Sequence, residues 1–469
     1  MINIITNNEK LNDELVLVTK LFYTEEEMES KDITFTLEQT FLGKSIHNKV
    51  TNSINDKVFE NDGEVIDTKF PMRYQKRFAK LCLYDCLQSL FPKVKLPWGS
   101  LTGIRPTKLY YELIKENNGD EGKAFNEMLN TFKVSYEKAM MVKEIYFNQQ
   151  GVIKNEHLVD LYINIPFCPS KCYYCSFISL PIDKCRNLLE PYLDALIKEI
   201  EATKELIERK NYIVNTIYIG GGTPTILSAE QLDRLLSHIN YKVSEFTVEC
   251  GRPDTITEDK LIVLKNHEVT RISINPQTFC NKTLKEIGRN HTSKDILEAY
   301  KLALKYDFCV NMDFIAGLSS ETVPTFKRTI NKAIEYAPDN ITVHTLSIKR
   351  GSDLKANGGN TSIVSDVEKM IEYSTTALKN AGYKPYYLYK QKNMLGKLEN
   401  IGYFKNTPCL FNINSMEEFA SIIACGANAI SKRYYSLDNK IERFANLKNI
   451  QEYIDRIDEM IEKKDNLFK

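Results

Sequence analysis

From about residue 159 the chain alternates two hydrophobic patterns. Short apolar, β-branched runs of strand character are followed by longer stretches whose apolar residues recur every three or four positions, as on one face of a helix. LYINI, from Leu161 to Ile165, is the first such run, and an amphipathic stretch from Arg186 to Lys210 follows it. NTIYIGGG then reads as a strand entering glycine, with a helix expected from Ala229 to Ile239. EFTVECG, RISINPQ, VNMDFIAGL and NITVHTLSI continue the strand series. Helices are expected between and after them, at Glu258–Asn266, Lys294–Tyr306, Val323–Tyr336 and Asp366–Ala381. Strands alternating with helices of this length predict βαβ units and a parallel sheet. Six units fall short of the eight of a closed barrel, so the expected α/β fold is an open (β/α)6 partial TIM barrel whose chemistry sits at the carboxyl ends of the strands.

The flanks read differently. Residues 1–150 begin with short β-like runs such as DITFTLEQTF and turn helical after about residue 72, predicting an additional α+β N-terminal domain. Residues 151–385 hold the barrel pattern. Residues 386–469 form a mixed C-terminal region, entered through the tyrosine-rich YKPYYLYKQKN and expected to cover the site.

Composition narrows the function classes. Apolar residues make up 43% of the 469, enough for a sizeable core. Basic and acidic residues balance at 62 each, and no basic block points to a nucleic-acid partner. No apolar run approaches the roughly 18 residues of a membrane span, and the N-terminus lacks secretory character, so a cytoplasmic protein is expected. Eleven cysteines, an odd number scattered over a long chain, are not a disulfide framework.

Three of those cysteines are tightly spaced. Cys168, Cys172 and Cys175 stand as C-x3-C-x2-C in IPFCPSKCYYCSF, directly after the first strand. Iron–sulfur clusters are held by thiolates, usually four, and three leave one iron open to a small chelating ligand. A structural zinc is the alternative, although zinc sites use four ligands in paired sets and no second pair lies nearby. Further along, Gly220, Gly221 and Gly222 lead into Thr223 and can bring backbone amides close to a ligand. Glu249 ends the third strand, Gln277 and Arg289 lie at and beyond the fourth, and Asp313 sits inside an apolar strand, where a buried carboxylate needs a partner. Arg289 is suited to a carboxylate. Cys82 and Cys86 share a helix face and read as core.

YINIPFCPSKCYYCSF resembles the opening strand and cluster loop of the radical S-adenosylmethionine (SAM) superfamily. The surrounding residues are similar to its oxygen-independent coproporphyrinogen III oxidase branch. They are nearest to the HemZ type, a match that includes PWGSLTGIRPTK and YYLYKQKNMLGKLENIGY. The resemblance covers most of the chain and implies a [4Fe–4S] cluster on Cys168, Cys172 and Cys175, with SAM beside it. Gly221, Gly222 and Thr223 would meet the methionine part of SAM, and Glu249, Gln277, Arg289 and Asp313 would bind the rest. Tyr162 and Tyr174 would be its aromatic neighbours, Tyr162 with a catalytic part, and Ser347 would lie on the adenine side.

The implied reaction is anaerobic. A SAM-derived 5′-deoxyadenosyl radical takes hydrogen from coproporphyrinogen III propionates, which become vinyl groups and give protoporphyrinogen IX. The implied partners are this tetrapyrrole and an electron donor such as flavodoxin or ferredoxin. Lys349, Arg350, Lys390, Lys392 and Arg105 are candidate cations for the substrate carboxylates. One departure stands out: Phe177 occupies the position of a further cysteine in the best-known oxidases of the branch. A heme-binding chaperone, or another radical SAM tetrapyrrole enzyme such as a heme-degrading methyltransferase, remains an alternative.

Overall fold

The computed structural model describes residues 1–103, 105–175, 180–319, 321–347, 364–391, 398–435 and 440–469. The chain divides into two compact units, Met1–Tyr146 and Phe147–Lys469.

The first unit carries a four-stranded sheet in the order β1-β2-β3-β4. Strand β1 (Ile2–Thr6) runs parallel to β2 (Ile33–Leu42), and β3 (Ser45–Asn52) and β4 (Phe59–Glu64) continue as antiparallel hairpins. Helix Pro71–Leu90 covers one face. Its Ala79, Cys82, Leu83, Cys86 and Leu87 recur at helical spacing and bury against Phe35, Leu37 and Val50, with Leu11, Leu15 and Val18 completing the core. Cys82 and Cys86 are therefore core residues. Helices Pro106–Glu116, Glu121–Asn130 and Tyr136–Asn148 follow.

The second unit is built on one eleven-stranded sheet. Its centre is six parallel strands in chain order: β5 (Leu158–Ile165), β8 (Ile213–Gly221), β9 (Glu245–Gly251), β10 (Arg271–Ile274), β11 (Cys309–Ala316) and β12 (Asn340–Thr345). A two-residue pair, β6 (Phe167–Cys168) with β7 (Leu180–Pro181), flanks the cysteine loop. The crossover helices lie where the periodicity predicts them, with ends trimmed by a few residues; the first is Leu189–Arg209 and the last Val364–Asn380. Their starts are set by side chains. Ser228 accepts from the Gln231 amide while Gln231 answers from its own side chain, and Thr292 with Asp295 repeats the arrangement. The sheet does not close on itself, and the open α/β partial barrel expected from the sequence is the fold observed.

The C-terminal region is woven into this sheet rather than laid over it. Strands β13 (Lys384–Tyr389) and β14 (Asn400–Phe404) extend it beyond β12, with β14 antiparallel to β12. On the opposite edge β15 (Ser421–Cys425) pairs in parallel with β5, Ser421 beside Val159 and Cys425 beside Ile163, and β16 (Ile430–Tyr435) and β17 (Lys440–Ala445) follow as antiparallel strands. Such pairings have no local signature, because a short strand's partner is fixed by the sheet edge left open and not by neighbouring residues.

Between these edges helix Leu410–Glu417 closes the floor of the barrel. Glu245, near the start of β9, accepts from the amides of Leu410 and Phe411 at 3.0 and 3.2 Å, a carboxylate placed on the positive end of the helix. Arg271 meets Glu245 at 3.3 Å and donates to the carbonyls of Thr407 and Pro408. Both side chains are 5% exposed or less. Removing one partner of a buried ion pair leaves the other charge unpaired in low dielectric. Glu245→Ala is therefore expected to cost about 3–5 kcal/mol of stability, read from urea unfolding of the anaerobically purified protein; a loss under about 1 kcal/mol, the scale of a surface pair, would show that the floor does not depend on this pair.

Candidate functional site

Strand β5 delivers the chain to the cysteine loop, and the turn after β8 holds it there. The Gly222 and Thr223 amides donate to the carbonyls of Ile165 and Phe167, both at 2.8 Å. Glycine is required at this approach. A Cβ on Gly222 would lie 2.4 Å from the Phe167 carbonyl oxygen, and one on Gly221, whose φ is +106°, would lie 2.0 Å from Asn164 Oδ1. Thr223 Oγ1 sits 3.5 Å from Cys168 Sγ. The far side of the loop is tied to residues 287 and 288: the Tyr173 amide donates to the Ile287 carbonyl at 3.1 Å, and Ser170 Oγ to the Gly288 carbonyl at 2.9 Å.

This loop roofs a cavity of about 360 Å3 at the carboxyl ends of the strands. Cys168, Cys172 and Cys175 all line it. So do Tyr174, Gly221, Gly222, Thr223, Glu249, Gln277, Arg289, Asp313 and Ser347, which the sequence scatters over more than 170 positions. Tyr162 is the exception. It stacks on Tyr218 and Phe411 with centroids 6.2 and 6.1 Å apart, and its hydroxyl donates to Asn164 Oδ1 at 3.1 Å. Tyr218, its partner in register on β8, takes the lining place. Tyr162 thus sits in an aromatic stack beside the lining residues and not among them. Phe177, Lys349, Arg350 and Lys392 lie outside the described residues. Lys390 is buried next to Tyr389 at the end of β13, and Arg105 belongs to the first unit.

The wall is strongly polarised. Burial, reinforced by the charge of Asp313, pushes the Glu249 carboxyl up to about 7, although Tyr218 donates its hydroxyl to it. Burial acts on Asp313 in the same sense, but the neighbouring His344, 3.8 Å away, and the Asn311 amide donor at 2.8 Å outweigh it and hold Asp313 below the usual carboxylate range. Burial opposes the charge on Arg289, yet the Tyr174 hydroxyl and Cys172 keep its pKa raised, and its guanidinium donates to the Asn275 carbonyl and to Tyr174.

Two buried polar atoms in this wall have no partner among the described residues: Gln277 Oε1 and Arg289 Nε. Gln277 also holds the left-handed backbone, φ +67°, while its amide and carbonyl bridge to Asp313 and Ile315 of β11. A non-glycine residue in that region costs of order 1 kcal/mol or more and persists where surrounding structure fixes it. An orphaned acceptor, an orphaned donor, a glycine cradle, two carboxylates and three thiols are a donor set that fits a thiolate-bound cluster with an amino-acid-bearing cation beside it. Among the described residues no three His, Cys, Asp or Glu side chains, the three cysteines included, converge as they would on one metal ion.

Other lining residues escaped the sequence reading. Asn311 and Thr342 follow from strand alternation, each two positions from a lining residue on the same strand, and Tyr218 lies three positions before Gly221 on β8. Arg252 had a signal in GRPD, a glycine and a cation just past Glu249. Asn412 and Met416 had none, since they reach the cavity only because their helix lies inside the barrel.

Residues 162–333 match the model of the radical SAM superfamily. The chain is 39% identical over 381 residues to the oxygen-independent coproporphyrinogen-III oxidase-like protein HemZ of Bacillus subtilis, covering 78% of this chain and 76% of that protein. It is 36% identical over 195 residues to the heme chaperone HemW of the same organism, covering 40% of this chain and 50% of that one. Among solved structures it is similar to the coproporphyrinogen III oxidase HemN of Escherichia coli, a radical SAM enzyme, with a TM-score of 0.53 and 20% identity over 70% of this chain and 74% of that one, a likeness of fold.

The glycine contact gives a direct test. Gly222→Ala pushes a methyl into the Phe167 carbonyl and against Cys168. Iron loading after anaerobic reconstitution is expected to fall at least severalfold in this variant while its circular dichroism stays native; unchanged iron per chain would show that the two loops need not meet so closely.

Proposed function

The chain belongs to the radical SAM superfamily, in the branch of oxygen-independent coproporphyrinogen III oxidase-like proteins, and on that premise we propose that it oxidatively decarboxylates coproporphyrinogen III propionates to vinyl groups, giving protoporphyrinogen IX. As a member of the superfamily it binds a [4Fe–4S] cluster and SAM. The observation that carries the substrate reading is the reach of the HemZ match. At 78% of the chain it is longer than the second unit and so extends into the first, whereas the HemW matches cover 40–63% of the chain and are no longer than the second unit.

In this reading Cys168, Cys172 and Cys175 hold the cluster. Reductive cleavage of the SAM sulfonium supplies a carbon radical that removes hydrogen from an unactivated C–H bond. The remaining work is done by the chain's own groups. Gly221, Gly222 and Thr223 offer backbone to the methionine part of SAM. Glu249 and Asp313 present negative charge to its cationic groups, and Gln277 Oε1 and Arg289 Nε are the unfilled acceptor and donor beside them. The stacked pair Tyr387 and Tyr389, with centroids 6.3 Å apart and planes parallel to within 6°, lines the cavity with aromatic surface suited to a pyrrole ring. Lys390 is the cation nearest in sequence to that wall for a substrate carboxylate. Each propionate loses a hydrogen atom from its β-carbon to that radical, then CO2 and one electron, which passes to a one-electron acceptor. A one-electron protein such as flavodoxin or ferredoxin is the reductant proposed. No helix among the described residues is long and apolar enough to cross a membrane.

Anaerobic incubation of reconstituted, reduced protein with SAM and coproporphyrinogen III tests the reading. Loss of one or two CO2 units with matching 5′-deoxyadenosine is expected, abolished in Cys172→Ala. Stoichiometric heme binding without decarboxylation would overturn it in favour of a chaperone, and methyl transfer from labelled SAM in favour of a methyltransferase.

The elevated Glu249 adds a pH test. Its folded pKa of about 7 lies above the ordinary 4.5, so the carboxyl is protonated in the apo site below about 7 and must release that proton to pair with a cation. SAM affinity is expected to rise with pH up to about 7 and level off above it, by at most tenfold per pH unit. Glu249→Gln should flatten the profile; a wild-type profile already flat in anaerobic calorimetry would remove Glu249 from SAM recognition.

A further inference from the structure

Arg252 is a buried cation beside the cysteine loop, and the backbone is bent to put it there. Along β9 and β10 the register advances by two on one side and one on the other: Glu249 pairs with Ser273 but Gly251 with Ile274. That is a β-bulge, with Gly251 at φ +48° and Cys250 extra. Bulges of this kind bend a strand and re-aim the residues that follow. Glu249 and Arg252, three positions apart, consequently both line the cavity, while Cys250 does not.

The Arg252 side chain is 3% exposed and fully engaged. Nε and Nη2 grip the Asp254 carboxylate at 3.1 and 3.2 Å, and Nη1 donates to Ser170 Oγ at 3.1 Å. The same Nη1 stands 4.0 Å from Cys172 Sγ. Asp254 is held in turn by His291, whose Nδ1 is 3.3 Å from Oδ1 and whose ring is buried. This relay, Cys172 to Arg252 to Asp254 to His291, fixes a guanidinium against a cluster ligand. At 4.0 Å the contact is the outer limit of an N–H···S bond, so its effect is chiefly that of charge.

A cluster held by three thiolates would carry net negative charge, and electron uptake would add one more. Reduction potentials of such clusters follow net charge, hydrogen bonds to the sulfurs and solvent exposure. A fixed cation at the sulfur favours the reduced state. We propose that Arg252 is the counter-cation that raises the cluster's reduction potential, with Asp254 and His291 as the residues that position it. The step affected is the entry of one electron from an external one-electron donor, with no bond made or broken. The inference rests on the cluster being held by Cys168, Cys172 and Cys175, and is independent of which tetrapyrrole is the substrate.

The test is a redox titration of the anaerobically reconstituted full-length protein, reduced with dithionite-generated mediators, followed by electron paramagnetic resonance without substrate. In Arg252→Gln the ratio of reduced to oxidised cluster at a given potential is expected to fall about tenfold, a midpoint lower by about 59 mV for one electron. Arg252→Lys keeps the charge but loses the two-pronged grip on Asp254, and is expected to shift less in the same direction. An unchanged midpoint in an iron-replete Arg252→Gln protein overturns the proposal. If that variant takes up no iron, the equally neutral Arg252→Met protein decides in the same way; loss of iron in both also overturns it, since Arg252 would then serve assembly and not potential. Absence of decarboxylation by the wild-type protein, with a shifted midpoint in the variant, would instead reject the substrate reading alone.

Discussion

Charge inside the barrel has to be paired within the protein, because water does not reach most of it. Alternate residues of the parallel strands face inward, and in this chain many of them ionise or hydrogen-bond: Glu245 and Glu249 on β9, Arg271 on β10, Asn311 and Asp313 on β11, His344 on β12. At the floor the solution is internal and closed. Glu245, Arg271, the carbonyls at 407 and 408 and the start of helix Leu410–Glu417 satisfy one another. At the mouth it is deliberately incomplete: Glu249 is pushed toward neutrality, and Gln277 and Arg289 each keep an unmatched atom. A ligand that brings cationic and hydrogen-bonding groups to the mouth supplies what is missing. The same chain thus separates a structural pole from a binding pole along one set of strands.

The floor helix links the two poles. Its N-terminus answers Glu245, its Phe411 stacks on Tyr218 at 4.4 Å, and its Asn412 and Met416 reach the cavity. Tyr218 in turn donates to Glu249 and stacks on Tyr162. A residue far along the chain therefore sets the position of a ring on the second parallel strand, and through it the proton affinity of a carboxylate on the third. The cysteine loop is supported in a comparable manner from two sides, by the glycine turn after β8 and by residues 287–288 after β10. Neither support lies near the cysteines in sequence.

How much of this was legible beforehand follows from which interactions are local. The alternation of short apolar runs and amphipathic stretches reports hydrophobic period, a property of contiguous residues; it located the six parallel strands and their helices and predicted an open barrel. The C-x3-C-x2-C spacing and the GGGTP turn are likewise contiguous, and so were the residues that carried the family resemblance. Glu249, Gln277, Arg289, Asp313 and Ser347 were legible because each sits at or near the end of a recognisable strand, where a parallel sheet gathers its chemistry.

Pairing across the sheet edges, and the threading of a helix into the barrel, were decided only in three dimensions. β14 and β15 are short strands whose partners are separated from them by about 60 and 260 residues, and nothing in their own composition names the edge they complete. Tyr162 shows the same limit at a single side chain: its strand position places it inward, but which of two adjacent tyrosines meets the cavity depends on how their rings and Phe411 stack. Arg252 shows it at the backbone, since a one-residue bulge decides where the side chain after Gly251 points. Sequence determined the repeating architecture and the ligand-bearing loops, because hydrophobic period and local spacing are carried by neighbours. Tertiary structure decided which charges are paired and which are left for a ligand, because burial and pairing belong to residues that only the folded chain brings together.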